Sequence, residues 1–248
     1  MPSLDQISTA GNLKILLLGA PGSGKTCFAT SLPTPILYLD FDGKVDSAAL
    51  FHKADLERLK AIDVRTLTRS LPGGADPIEE LNKIMKDEIG PQLKSGALKF
   101  KTLVLDSISA FSTATLKHII RTNPGIKGVE TAQGKQPDRP HYGVMLRWFT
   151  EYIPAVLDLP CNVIMCAHLE TYKDANSGMI IRSPMMDGSF DEKLPIYFKE
   201  VWYTHVTDKG QYVAQTKADS KFSCLRSQIP GLPAVMPLSY AELEKYIK

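Results

Sequence analysis

The stretch that most constrains this chain is residues 13–26, LKILLLGAPGSGKT. LKILLL is a continuous apolar run closed by glycine, the pattern of a strand buried on both faces of a parallel sheet. It leads directly into Gly19-Ala-Pro-Gly-Ser-Gly-Lys-Thr26, which fits G-x-x-x-x-G-K-[ST], and a helix is expected to open near Lys25. Glycines let the backbone curl so that successive N–H groups point inward at phosphate oxygens, and the helix N-terminus adds partial positive charge. Lys25 is placed to neutralise β- and γ-phosphates and the Thr26 hydroxyl to ligate Mg²⁺. The expected nucleotide contacts are therefore Gly19, Ala20, Pro21, Gly22, Ser23, Gly24, Lys25, Thr26 and Cys27, with ATP and Mg²⁺ as cofactors. A glycine-rich turn that binds nothing is the competing reading, and it leaves the strand, the spacing and the Lys-Thr pair without an account.

Two more apolar runs end in acids. ILYLDFDG, residues 36–43, carries Asp40 and Asp42, and LVLDS, residues 103–107, carries Asp106. Carboxylates at the tip of a buried strand are costly unless they meet a cation, a metal or water. Asp106, about 80 residues after the phosphate loop, suits a Mg²⁺ carboxylate acting partly through water; the competing reading is a simple N-cap of the helix expected in SISAFSTATLKHII, since Asp106 and Ser107 both cap well. Strand alternation puts Asp40 and Asp42 on the same side, with Phe41 opposite.

Further along, residues 76–94 have the apolar spacing of a helix. Residues 123–141 hold three glycines and three prolines and read as a long loop. An amphipathic helix comes next, with Tyr142, Met145, Phe149 and Ile153 on one face and a kink expected at Pro154. NVIMCA is a fourth buried strand and ends beside His168. A second polar loop spans about 170–192. EVWYTHVTDKGQYVAQTKA alternates around a DKG turn and reads as an antiparallel hairpin. Ser239-x-x-Glu242 opens a short terminal helix over about 239–248.

Bulk properties exclude little. A length of 248 residues and 44% apolar composition allow a core of normal size. There is no apolar run near the length of a membrane span, and the first residues lack a secretory pattern, so a cytoplasmic location is expected, in a host cytoplasm if the chain is phage-encoded. Cys27, Cys161, Cys166 and Cys224 match no zinc spacing and read as reduced thiols.

The segments after the phosphate loop sort the nucleotide-binding classes. GAPGSGKT is similar to loops of nucleoside-monophosphate kinases and of AAA+ proteins. AAA+ proteins usually place Glu after the second acidic Asp, whereas here Asp106 is followed by Ser107, and LVLDSISAF resembles the RecA-type core. The order of phosphate loop, LDFD, LVLDS, long loop, helix, VIMCAH, second loop and hairpin resembles phage-encoded RecA-core ATPases related to the RecA and Rad-type single-strand annealing recombinases, over about residues 12–227. The resemblance implies one RecA-like P-loop domain over 1–248: α/β, with a mainly parallel central sheet flanked by helices and a C-terminal antiparallel hairpin. It implies Asp42 as the group that activates water, in a place where RecA has Glu, with Asp40 a candidate for the metal's water shell. It implies His168 at the place of a polar residue, often Gln, that senses the γ-phosphate; an ordinary strand-end histidine is the alternative.

The same resemblance implies single-stranded DNA bound through the two loops, self-assembly into a ring or filament, a single-strand-binding protein as a possible partner, no membrane, and DNA-stimulated ATP hydrolysis. The net charge is only +2, but residues 117–147 carry six basic residues against two acidic ones, a local excess of the kind phosphate contacts need. Lys127, Lys135, Arg139, Lys173 and Arg182 are the DNA-binding candidates, with His141 and Tyr142 as stacking candidates. Lys217, Lys221 and Arg226 are candidates for a cation donated to a neighbour's nucleotide. A solvated charge run and ordinary surface lysines are the bland readings. Two rival functions remain, a P-loop kinase of a small molecule and a nucleotide-gated loading protein with little turnover.

Overall fold

The computed structural model describes residues 11–68, 74–126, 128–131, 134–173 and 180–247. Eight strands form one sheet: β1 (Lys14–Gly19), β2 (Ile36–Asp40), β3 (Ile62–Thr66), β4 (Thr102–Asp106), β7 (Asn162–Ala167), β10 (Glu200–Val206), β11 (Tyr212–Gln215) and β12 (Val235–Pro237), in the order β12-β11-β10-β1-β7-β4-β2-β3. From β10 to β3 every pairing is parallel; β11 and β12 add antiparallel at the far edge. The α/β class, the mainly parallel sheet and the C-terminal antiparallel hairpin are as expected.

The apolar runs of β1, β2, β4 and β7 reflect burial on both faces. Leu16, Leu18, Leu37, Leu39, Leu103, Leu105, Val163 and Met165 pack under one helical layer. That layer holds α6 (Ile108–Thr122), α7 (Arg139–Leu157) and α4 (Pro77–Lys83), which runs on through a π-helical turn (Ile84–Ile89) into α5 (Gly90–Lys94). The alternate residues Ile15, Leu17, Ile36, Tyr38, Val104, Ile164 and Cys166 face the other layer, α1 (Lys25–Ser31) and α8 (Tyr240–Ile247), with Trp202 of β10. The starts of α6 and α7 obey capping chemistry. Ser107 Oγ accepts from Ala110 N at 3.2 Å, and Asp138 opens α7 in a capping box with His141.

Three expectations are corrected, and one stretch for which none was made gains its elements. Residues 46–66 hold two short helices, α2 (Asp46–Phe51) and α3 (Leu56–Lys60), and the edge strand β3, none of which an apolar run announces; Asp63 and Arg65 within IDVRT suit an edge that must not recruit another strand. Residues 123–141 are not one loop, since β5 (Val129–Thr131) pairs antiparallel with β6 (Gly134–Gln136) and α7 already begins at Arg139. The second loop also holds a strand pair, β8 (Leu169–Lys173) antiparallel to β9 (Ile180–Pro184), which starts directly after the end of β7. Finally, β2 stops at Asp40, so strand alternation does not extend to Asp42.

Candidate active site

Parallel strands bring the carboxyl ends of β1, β2, β4 and β7 to one edge, and the sequence-selected residues gather there. β7 stands between β1 and β4, with Leu16 level with Met165 and Asp106 level with Cys166. The phosphate loop and Asp106 are therefore one strand apart, and the residue just past β7, His168, emerges between them.

The loop has the geometry its glycines allow. Gly22 and Gly24 have φ of 77° and 91°, the left-handed region that side chains avoid. Gly19 is required for space: a Cβ there would lie 2.3 Å from Thr204 Oγ1 and 2.4 Å from Ser23 Oγ. Those hydroxyls hydrogen-bond to each other at 2.7 Å, and Thr204 donates to Leu18 O at 3.2 Å, which fastens the loop to β10. Ala20, Pro21 and Gly22 form an exposed lip, and Cys27 is half-buried behind it. Lys25 is buried and donates to Gly19 O at 2.8 Å and Ala20 O at 3.0 Å. Burial lowers its pKa, against the opposing charges of Cys166, Asp106 and Asp42.

Thr26 Oγ1 donates to Asp106 Oδ2 at 2.7 Å. The same oxygen accepts from Tyr38 OH, and the carboxylate is buried, with the Cys166 thiol beside it. Burial, and after it the charge of Asp106, pushes the Tyr38 phenol well up, so it remains a donor. Ser107, not Asp106, supplies the N-cap of α6. Nothing singled out Tyr38 in the sequence; its signal was one polar tip in an otherwise apolar strand.

The two acids of LDFD part company. Asp40 turns its carboxylate into its own turn, accepting from Gly43 N at 2.8 Å, Asp42 N at 3.2 Å and Val45 N at 3.3 Å. Burial nevertheless raises its pKa, opposed by the backbone donors of Gly43, Val45 and Lys44. Asp42 accepts from Ser107 Oγ at 3.0 Å through Oδ1 and from His168 Nε2 at 2.9 Å through Oδ2. Burial works to raise its pKa, but the His168 and Ser107 hydrogen bonds and the charges of His168 and Lys44 outweigh it and hold the carboxyl low. His168 Nδ1 is buried without a partner among the described residues, and Nε2 is the nitrogen that donates to Asp42. Ser107 is a further site residue that the sequence offered only as a cap.

These residues fit a Mg-nucleotide. The loop presents backbone where a side chain would clash, a buried cation stands under it, and a hydroxyl is already paired with a strand-end carboxylate. Among the described residues no group of three His, Cys, Asp or Glu side chains that could hold a metal ion is present.

The remaining candidates scatter. Lys127 lies outside the described residues. Lys135 falls in β6 and Lys173 ends β8. Arg139 is exposed on the first turn of α7. Arg182 stacks 4.8 Å over the Phe222 ring. His141 is fully buried, with Nδ1 accepting from Asp138 N at 3.0 Å, which corrects its assignment as a stacking residue; Tyr142 packs against the core. Lys217 and Lys221 are exposed, whereas Arg226 is turned inward and donates to Phe198 O at 2.9 Å and to Pro195 O.

Fold and site together define an α/β protein built around a strand-loop-helix phosphate cradle. The chain belongs to the AAA_24 family, described as an AAA domain, whose model matches residues 11–223. No curated protein matches it. Among solved structures it is similar to one titled "Crystal structure of the RadB recombinase", at 16% identity over 82% of this chain and 79% of that one, with a TM-score of 0.41; a likeness of that depth carries no functional argument. No helix among the described residues is long and apolar enough to cross a membrane.

Proposed function

We propose that the chain is a single-domain, RecA-type, Mg²⁺-dependent ATPase that binds single-stranded DNA as an oligomer, in phage homologous recombination or strand annealing. The observation that carries the nucleotide part is the Thr26–Asp106 hydrogen bond beneath a glycine cradle, one strand away from the Asp42–His168 pair. Magnesium, when bound with ATP, supplies charge neutralisation at the phosphates. The loop amides and Lys25 hold the phosphates, Thr26 and Asp106 serve the metal position, and Asp42 accepts the proton of the attacking water. His168 and Ser107 fix the orientation of Asp42.

The DNA part rests on the basic excess around 117–147 and on the β8–β9 hairpin, which starts at the sheet edge that holds the site. One titration tests it: ATPase rate and oligomer size with and without single-stranded DNA, at two salt concentrations. The proposal expects faster turnover, larger assemblies and binding that weakens with salt; a chain whose rate and size ignore DNA is not a recombination ATPase.

A small-molecule kinase is the second reading, favoured by a cavity of about 460 Å³ between the end of β2 and α6, lined by Phe41, Leu67, Thr113 and Lys117. A phosphorylated acceptor together with turnover indifferent to DNA would establish it. ATP binding with no turnover, even with DNA, would instead mark a loading protein.

A further inference from the structure

Tyr38 is fully buried in the centre of the sheet, on β2, level with Val104 of β4. Asp106 is two residues beyond Val104 on the same face, so the phenol, leaning along the strand, reaches it. Phe28, Val104 and Ile164 are among the side chains of its apolar cluster. A phenylalanine would satisfy that packing equally, and a hydroxyl there costs free energy unless it is bonded. Asp106 Oδ2 is its hydrogen-bond partner.

The same oxygen also accepts from Thr26. A carboxylate oxygen has two lone pairs in its plane, and the two hydroxyls occupy both. Oδ1 is the oxygen left without a hydroxyl donor among the described residues. Without Tyr38, the carboxylate is held on that side by Thr26 alone and can rotate about its Cβ–Cγ bond. Side chains that orient a metal's carboxylate are worth about 10–100-fold in metal affinity.

We propose that Tyr38 is a positioning residue for the metal site: by occupying Oδ2 of Asp106 together with Thr26, it fixes Oδ1 as the oxygen that meets the water shell of the nucleotide-bound cation. The inference rests on the ATPase reading and deepens it. It also separates this site from a plain strand-end aspartate, because the orienting group comes from the neighbouring strand and not from the phosphate loop.

The test is Mn²⁺ binding, read by electron paramagnetic resonance, to the full chain saturated with a non-hydrolysable ATP analogue. Tyr38→Phe should weaken Mn²⁺ binding about tenfold and leave analogue binding without metal unchanged. In an Asp106→Asn background, adding Tyr38→Phe should cause no further loss, which keeps the test informative if Tyr38→Phe also lowers the melting temperature. Unchanged Mn²⁺ affinity in Tyr38→Phe, with or without a lower melting temperature, overturns the proposal and leaves the hydroxyl a structural role. Equal Mn²⁺ losses from Tyr38→Phe in the wild-type and Asp106→Asn backgrounds overturn it as well. Failure of the wild-type chain to bind the analogue at all is a separate result, which overturns the ATPase reading and this inference together.

Discussion

In the proposed reaction Lys25 and Asp42 carry different halves of the chemistry, and substitution separates them. Lys25→Ala removes the buried cation under the phosphate loop, and the expected outcome is loss of ATP binding, measured by fluorescent-nucleotide titration. Asp42→Asn keeps the shape and the Ser107 contact but cannot take a proton. It should bind ATP normally and lose turnover by roughly 10²–10⁴-fold, the usual contribution of a general base; normal turnover would move the role elsewhere. Gly19 was legible as a motif letter, but its reason was not. Only the approach of Thr204, from a strand far along the chain, shows that a methyl group has no room there. Gly19→Ala should therefore weaken nucleotide binding by displacing the loop, visible in the same titration.

Among the elements, the β8–β9 hairpin is tied to the site at both ends. It starts from His168, whose carbonyl accepts from Met185 N at 2.8 Å. Just beyond β9, Asp187 accepts from Thr113 Oγ1 at 2.6 Å and donates its N–H to Ser112 Oγ at 3.1 Å, both on α6, the helix that Ser107 caps. The two groups that hold Asp42 thus root the hairpin and the helix that clasps it. Asp187→Ala should release that clasp, speeding hydrogen exchange in residues 180–187 while leaving ATP binding intact; unchanged exchange would show that the hairpin is held by other contacts. The strands of the sheet were legible because two-sided burial forces unbroken apolar runs. The hairpins were not, because short two-stranded ribbons outside a core carry polar sequences that read as loops.

For the whole molecule, the pairing of Asp42 with His168 makes a statement about acid stability. Its folded-state pKa is depressed, so its contribution is present above the unfolded value of about 3.9 and is lost as pH falls through the lower folded value. Urea unfolding midpoints of the wild type and Asp42→Asn should differ at pH 5 and converge once the pH has fallen through the depressed folded-state value; a gap that persists in strong acid would assign the difference to packing.

The sequence by itself determined the strand-loop-helix cradle, the two-faced parallel sheet and the acids at its edge, because each is written locally as an apolar run, a glycine pattern or a strand-end carboxylate. Tertiary structure decided what those acids do. Asp42 was expected at the attacking water and Asp40 at the metal's water shell; the end of β2 at Asp40 sends the Asp40 carboxylate into its own turn and delivers that of Asp42 to Ser107 and His168, just past the ends of β4 and β7. Tyr38 became a partner of Asp106 only because β2 and β4 are neighbours in register. Arg226 and His141 read as surface groups and proved to be turned inward. Partners such as Asp42 and His168 lie 126 residues apart in the chain, where no periodicity connects them, and only the order and register of the strands bring them within hydrogen-bonding distance.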